Sequence, residues 1–94
     1  GFVLMIEGSQ IDYGGHDTTL SVVVNEVVEF DKVIGMVLDY AIKDGETLVI
    51  VTADHETGGL TLPSGNIKEG TMQAIFTTTY RCDGACVCLW TGSQ

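Results

Sequence analysis

Three acidic and two histidine side chains follow the ends of two apolar runs in this sequence. Glu7, Asp12 and His16 come at or after the end of the first run, and Asp54 and His55 come after the second. These are the only two histidines in the 94-residue chain. Mixed carboxylate and imidazole donors suit Zn²⁺, whereas an oxygen-only group such as Glu7 suits Mg²⁺. We therefore interpret the five residues as candidate metal ligands.

Each of these residues taken alone has a structural explanation. An aspartate at a strand end often caps the next helix, and an isolated histidine usually lies on the surface or in a core. The convergence of two imidazoles with three carboxylates favours a metal site, since neither structural role requires all five together.

The convergence depends on the elements that carry the ligands. Residues 2–7 and residues 47–52 are continuous apolar runs, which are typical of buried strands. Between them, apolar residues recur every three or four positions over residues 19–43, which predicts one amphipathic helix. A strand, a helix and a strand in this order predict a βαβ unit with parallel strands, whose carboxyl ends lie at one edge of the sheet.

The remaining segments complete a predicted α/β fold. Residues 8–16 are rich in glycine and predict a loop, after which Asp17 or Thr18 is expected to cap the helix. Gly45 is the expected residue at which this helix ends. Turns are predicted for the segment after His55, and a further strand for residues 72–79.

Composition narrows the possible partners. Four basic residues against thirteen acidic ones give a formal net charge of −9, which argues against nucleic acids and anionic membranes. The first apolar run is too short to span a bilayer and shows no signal-peptide pattern. A chain of this length buries only about 60–65% of its unfolded surface, so we expect weak stability or self-association.

Two stretches, "EGSQIDYGGH" and "DGETLVIVTADHETGG", resemble the alkaline phosphatase family over about the first sixty residues. The resemblance implies a fragment of a three-layer α/β/α fold. It implies that Glu7 is a Mg²⁺ ligand, that Asp12 and His16 bind one zinc, and that Asp54 and His55 bind the other.

The resemblance also implies a reaction, the hydrolysis of phosphate monoesters through a serine nucleophile. Two metal ions neutralise charge on both sides of a phosphoryl group in such reactions. The expected parent is a periplasmic or secreted enzyme and a homodimer. None of the four serines matches the nucleophile motif, and no histidine after His55 supplies a further zinc ligand, so we assign no catalytic residue and expect the chain alone to be inactive.

The tail, residues 81–94, departs from the family pattern that residues 1–80 follow. It holds all three cysteines, whose spacing matches no metal or redox motif, and two explanations stay open. The tail is either the family's late strand read in a shifted frame, or a divergent segment. A divergent tail would pack Val87, Leu89 and Trp90 as a strand and use Cys82 or Asp83 as a substitute ligand.

Two other functions compete with the phosphatase interpretation. The first is another metallohydrolase of the same superfamily, such as a sulfatase or a metal-dependent phosphoglycerate mutase. The second is a non-catalytic module that binds metal or another protein. The paired stretches "EGSQID" and "TADHETGG" favour the phosphatase over the other metallohydrolases. A serine and a further metal-ligating aspartate encoded upstream would distinguish an enzyme from the non-catalytic module.

Overall fold

Two helices dominate the regular structure of the computed structural model, which describes residues 1–82 and 89–91. Helix α1 spans Ser9–His16 and helix α2 spans Leu20–Asp44. The predicted helix over 19–43 is confirmed to within one residue at each end. It ends as expected at Gly45, whose φ of 73° lies in the left-handed region that glycine adopts without a steric penalty.

Helix α1 replaces the loop predicted for residues 8–16, so that prediction is wrong. Glycine is disfavoured in helices by about 1 kcal/mol relative to alanine. Here Gly14 and Gly15 are buried, because α1 packs closely against its neighbours at these two positions. Tertiary packing therefore overrides the local preference of the sequence.

The predicted cap of α2 is also wrong. Thr19 occupies the N-cap position, and no side chain caps the helix there. The Thr19 hydroxyl instead donates to the backbone carbonyl of Asp17 at 3.1 Å. Asp17 is the C-cap of α1, and only Thr18 separates it from Thr19, so the predicted cap lies one or two residues too early.

Six short strands form three antiparallel pairs in the part of the chain that the structure describes. Their bounds, from β1 to β6, are Val49–Val51, Glu56–Thr57, Thr61–Asn66, Thr71–Ile75, Arg81–Cys82 and Leu89–Thr91. β1 pairs with β6, β2 with β5, and β3 with β4. β1 lies within the predicted second strand. β3 and β4 form a hairpin, of which sequence patterning predicted only the second arm. That prediction, residues 72–79, is confirmed as far as Ile75, and residues 76–79 form no strand.

The predicted first strand and its parallel pairing are wrong. Residues 2–7 form no strand, and Val3 is fully exposed. The partner of β1 is β6, in antiparallel register with Ile50 opposite Trp90. A parallel strand of continuous apolar residues requires cover on both faces and a neighbour to complete its hydrogen bonds. Among the described residues α2 is the one long helix, and it cannot cover both faces.

Glycines, rather than apolar side chains, occupy the most buried positions. No hydrophobic residue is buried within the described residues, whereas Gly14, Gly15 and Gly58 are. A Cβ built on Gly15 would lie 3.0 Å from the Cβ and 3.0 Å from the carbonyl oxygen of Thr57. Helix α1 and strand β2 are therefore in backbone contact at Gly15. No described helix is long and apolar enough to cross a lipid bilayer.

We expect Gly15→Ala to lower the free energy of unfolding by about 1–3 kcal/mol, because the backbone of Thr57 cannot move away from an added methyl group. Gly35→Ala is the matched control, since Gly35 lies in α2 with no atom within 4 Å of a built Cβ. It should raise stability by about 0.5–1 kcal/mol. Thermal unfolding followed by far-UV circular dichroism measures both. Equal shifts for the two variants would contradict a close contact at Gly15.

Candidate metal centre

Helix α1 carries the first predicted ligand pair. Asp12 and His16 are four residues apart, which places them on one face of the helix. The His16 Nε2 atom lies 3.6 Å from Asp12 Oδ1, and each side chain is about one third exposed (36% and 34%). This separation is too long for a direct hydrogen bond. It allows both atoms to approach a third atom placed between or beside them.

The His16 ring is oriented by the backbone. Its Nδ1 atom lies 2.6 Å from the carbonyl oxygen of Thr79. A carbonyl oxygen only accepts, so Nδ1 carries a proton, and Nε2 is the ring nitrogen that faces Asp12. Metal-binding histidines are typically held in this way, with the second ring nitrogen donating to a carbonyl or carboxylate.

The second predicted pair shows the same arrangement. Asp54 and His55 follow β1, and His55 Nε2 lies 3.2 Å from Asp54 Oδ2. The His55 Nδ1 atom lies 2.9 Å from the carbonyl oxygen of Glu56, which again assigns the proton to Nδ1. His55 is mostly buried (19% exposed) whereas Asp54 is exposed (86%). The imidazole is thus held in place while the carboxylate faces solvent.

Thr57, which no sequence pattern identified, joins the two pairs. Its hydroxyl donates to Asp12 Oδ1 at 2.5 Å, and its Oγ1 atom lies 3.2 Å from His55 Nδ1. The hydrogen bond from Thr57 lowers the pKa of Asp12 below its usual range, against the opposing effect of burial. Arg81 acts in the same direction as the hydrogen bond, and so do His16 and His55 when their rings are protonated.

Four of the five predicted ligands line one cavity of about 520 Å³. They are Glu7, Asp12, Asp54 and His55. His16 does not line the cavity and is connected to it through Asp12. Within residues 1–82 and 89–91, no three histidine, cysteine, aspartate or glutamate side chains come close enough to hold one metal ion together. The structure therefore shows two separate donor pairs beside a shared cavity.

Sequence analysis missed Arg81, which lines this cavity, and Thr57, which contacts two of the residues lining it. Arg81 lines it from β5, where it pairs with Thr57. No signal in the sequence pointed to Arg81, because strand pairing alone brings it there. Thr57 had one usable signal, since it follows His55 by only two residues in the sequence.

The residues proposed for a divergent tail are only partly described. Asp83 and Val87 lie outside the described residues, and for Cys82 only the backbone is described. β6 contains Leu89 and Trp90, whose backbone pairs with β1. The choice between a shifted reading frame and a divergent tail remains a prediction, as does the division of the chain at residue 80.

Two carboxylate–imidazole pairs beside an acidic cavity define a candidate metal centre of the kind used by metallohydrolases. Comparison with known proteins supports this class of site.

The sequence model described as alkaline phosphatase matches residues 1–81. Alkaline phosphatase 3 of Bacillus subtilis is 45% identical over 67 residues, which cover 71% of this chain and 14% of that protein. An alkaline phosphatase of Escherichia fergusonii is 36% identical over all 94 residues, or 19% of its own length.

Solved structures give the same result. The alkaline phosphatase from the Antarctic bacterium TAB5 matches with a TM-score of 0.76 at 44% identity, covering 87% of this chain and 25% of that one. A histidine-to-aspartate variant of that enzyme, with Mg bound in its M3 site, also matches with a TM-score of 0.76, at 43% identity over 85% of this chain and 26% of that one. The chain belongs to the alkaline phosphatase family.

The comparisons confirm the family and the α/β class predicted from sequence. They favour a phosphatase over a sulfatase or a phosphoglycerate mutase. The chain spans less than a fifth of the length of these curated relatives. The Escherichia fergusonii alignment continues through the tail, whereas the match to the family's sequence model ends at residue 81.

We expect both imidazoles of the metal-free chain to carry their proton on Nδ1, because each Nδ1 atom faces a backbone carbonyl. Long-range ¹H–¹⁵N NMR spectra, recorded above the pH at which histidine is protonated, report the tautomer directly. The variants His16→Gln and His55→Gln each leave one imidazole and so assign the signals. A proton on Nε2 of either ring would contradict the orientation described here.

Proposed function

We propose that this chain provides the carboxylate and imidazole ligands of the metal centre in a phosphate monoester hydrolase. The supporting observation is the common arrangement of the two pairs. In each pair, Nδ1 lies against a backbone carbonyl and Nε2 lies near a carboxylate oxygen. This arrangement brings an imidazole nitrogen close to a carboxylate oxygen, and these two kinds of atom are a donor set that Zn²⁺ prefers.

The proposed ligand assignment follows the family. Asp12 and His16 would hold one zinc ion, Asp54 and His55 would hold the other, and Glu7 would bind Mg²⁺. The position of Glu7 at the cavity supports its part, because an isolated carboxylate is the type of ligand that Mg²⁺ accepts while it keeps several waters. The TAB5 variant with Mg in its M3 site supports a magnesium ion in this family.

When bound, the metal ions would neutralise charge on a phosphoryl group and activate the oxygen nucleophile. The residues of this chain prepare the cavity for that chemistry. Glu7, Asp12 and Asp54 place three carboxylates around it, which concentrate divalent cations. Arg81 adds a guanidinium group, the donor that best fits phosphate oxygens.

The wider biological assignments are proposals of the same kind. We propose a phosphate monoester as substrate, a homodimeric parent, and a periplasmic or secreted location, all by analogy with the family. The net charge of −9 supports the expectation that nucleic acids and anionic membranes are not partners, because like charges repel.

A weak metal-binding segment is the second candidate for the isolated chain. It is favoured by the absence of any group of three potential ligands among the described residues. The two candidates agree on the ligands. They differ in whether phosphate monoesters are hydrolysed. Measuring metal binding and hydrolysis separately distinguishes them.

We expect the isolated chain to bind Zn²⁺ far more weakly than a structural zinc site, whose binding is worth about 10–16 kcal/mol. Each donor pair supplies two protein ligands where a closed site uses four. Isothermal titration measures this, with His16→Gln and His55→Gln each expected to weaken binding. Asp39→Asn, at an exposed position of α2, is the control and should change nothing. Tight binding of two zinc ions that survives a strong chelator would contradict the expectation.

In a complete enzyme that contains this segment, we expect the double change Asp54→Ala and His55→Ala to reduce turnover of an aryl phosphate by more than about 100-fold. Changes to outer-shell partners of metal ligands already cost about 10–100-fold, and these two are proposed direct ligands. The Asp39→Asn enzyme should retain activity.

The isolated chain should show no turnover in the same assay. Ser9 is a serine that lines the cavity, so Ser9→Ala provides the sharpest check. Activity of the isolated chain that disappears in Ser9→Ala would show that the segment contains its own nucleophile, and would overturn the expectation of inactivity.

A further inference from the structure

The Thr57 hydroxyl lies between the two proposed ligand pairs. Its Oγ1 atom is 2.5 Å from Asp12 Oδ1 and 3.2 Å from His55 Nδ1. Asp12 belongs to one pair and His55 to the other, and they are distant in sequence. This hydroxyl therefore contacts one member of each pair.

The direction of the hydrogen bonds is fixed by what each group can donate. The ionised carboxylate of Asp12 only accepts, so the hydroxyl proton of Thr57 points to it. The Thr57 oxygen is then free to accept from the His55 Nδ1–H group, which it shares with the carbonyl of Glu56. His55 Nδ1–H therefore donates to the Thr57 oxygen, and the Thr57 hydroxyl donates to Asp12.

Thr57 is itself held firmly. Its Cβ and Cγ2 atoms lie 3.0 and 3.1 Å from a Cβ built on Gly15, so the side chain packs directly on helix α1. A β-branched side chain has few χ1 rotamers, and packing of the methyl group selects the one that aims the hydroxyl. On the other side, β2 pairs with β5 through Thr57 and Arg81, and Gly58 N–H donates to the Tyr80 carbonyl at 3.1 Å.

We propose that Thr57 is the positioning residue that couples the two ligand pairs, so that one hydroxyl orients the Asp12 carboxylate and the His55 ring together. The inference rests on the proposed function, because it assumes that both pairs bind metal. Thr57 touches neither metal nor substrate in this role. It acts by limiting the rotation of two ligands, and its loss should weaken binding at both pairs rather than at one.

A purely structural role would make a different prediction. If Thr57 serves only to pack on Gly15, its methyl group matters and its hydroxyl does not. Thr57→Val retains the packing atoms and removes the hydroxyl. Thr57→Ser retains the hydroxyl and removes the methyl group. The two variants therefore separate the roles, and Thr61→Val is a matched control because Thr61 is exposed on β3 and does not line the cavity.

The test is isothermal titration of the 94-residue chain and its variants with Zn²⁺ alone. Thr57→Val should raise the Kd for Zn²⁺ by about 10–100-fold, the usual cost of removing an outer-shell partner. Thr57→Ser and Thr61→Val should bind as the wild-type chain does. Far-UV circular dichroism and the ¹⁵N chemical shifts of both imidazoles show whether each variant keeps its fold and its ring orientation.

Any other set of Kd values contradicts the inference, and the variants that depart from expectation show which proposal fails. Equal Kd values for wild type and Thr57→Val would overturn the coupling role and leave the proposed function standing. A wild-type chain that binds no Zn²⁺ would overturn both. If Thr57→Val fails to fold, Thr57→Ser decides, because a 10–100-fold loss there would mean that the methyl group and not the hydroxyl is required.

Discussion

The backbone contact between α1 and β2 at Gly15 is the constraint on which the candidate metal centre depends. Any side chain at this position would meet the Cβ and the carbonyl oxygen of Thr57 at about 3.0 Å. Because glycine permits the approach, Asp12, one turn earlier in α1, reaches the Thr57 hydroxyl. His16, on the next residue of the helix, reaches the Thr79 carbonyl. Without this contact, the ligands from the two halves of the sequence would not meet at one cavity.

The centre is held by polar contacts and by glycine packing rather than by an apolar core. No hydrophobic side chain is fully buried among the described residues, and the apolar run at the start of the chain is exposed, with Met5 at 88%. Burial of apolar surface contributes roughly 25 cal/mol per Å², so this run adds little to the stability of the described fold. The ligand geometry therefore depends on a few directional hydrogen bonds, each of which fixes one ring or one carboxylate.

The carboxylates and the imidazoles contribute differently to the candidate metal centre. The carboxylates of Glu7, Asp12 and Asp54 make the cavity attractive to divalent cations, and Arg81 offsets part of that charge. The two imidazoles contribute direction, because a backbone carbonyl fixes the tautomer of each ring and hence the nitrogen that faces the carboxylate. Thr57 joins these two functions, since it contacts a carboxylate of one pair and an imidazole of the other.

The sequence by itself determined the features that depend on near neighbours in the chain. Periodicity located α2, and the glycine at position 45 ended it. Residue types and their positions indicated five candidate ligands, and the resemblance to the alkaline phosphatase family paired Asp12 with His16 and Asp54 with His55. Only the tertiary structure decided the rest. Residues 2–7 form no strand because a strand requires neighbours that periodicity cannot supply, and the glycine-rich loop became a helix because packing outweighed propensity. The role of Thr57 was equally hidden, because it depends on a distance across 45 residues that no local pattern encodes.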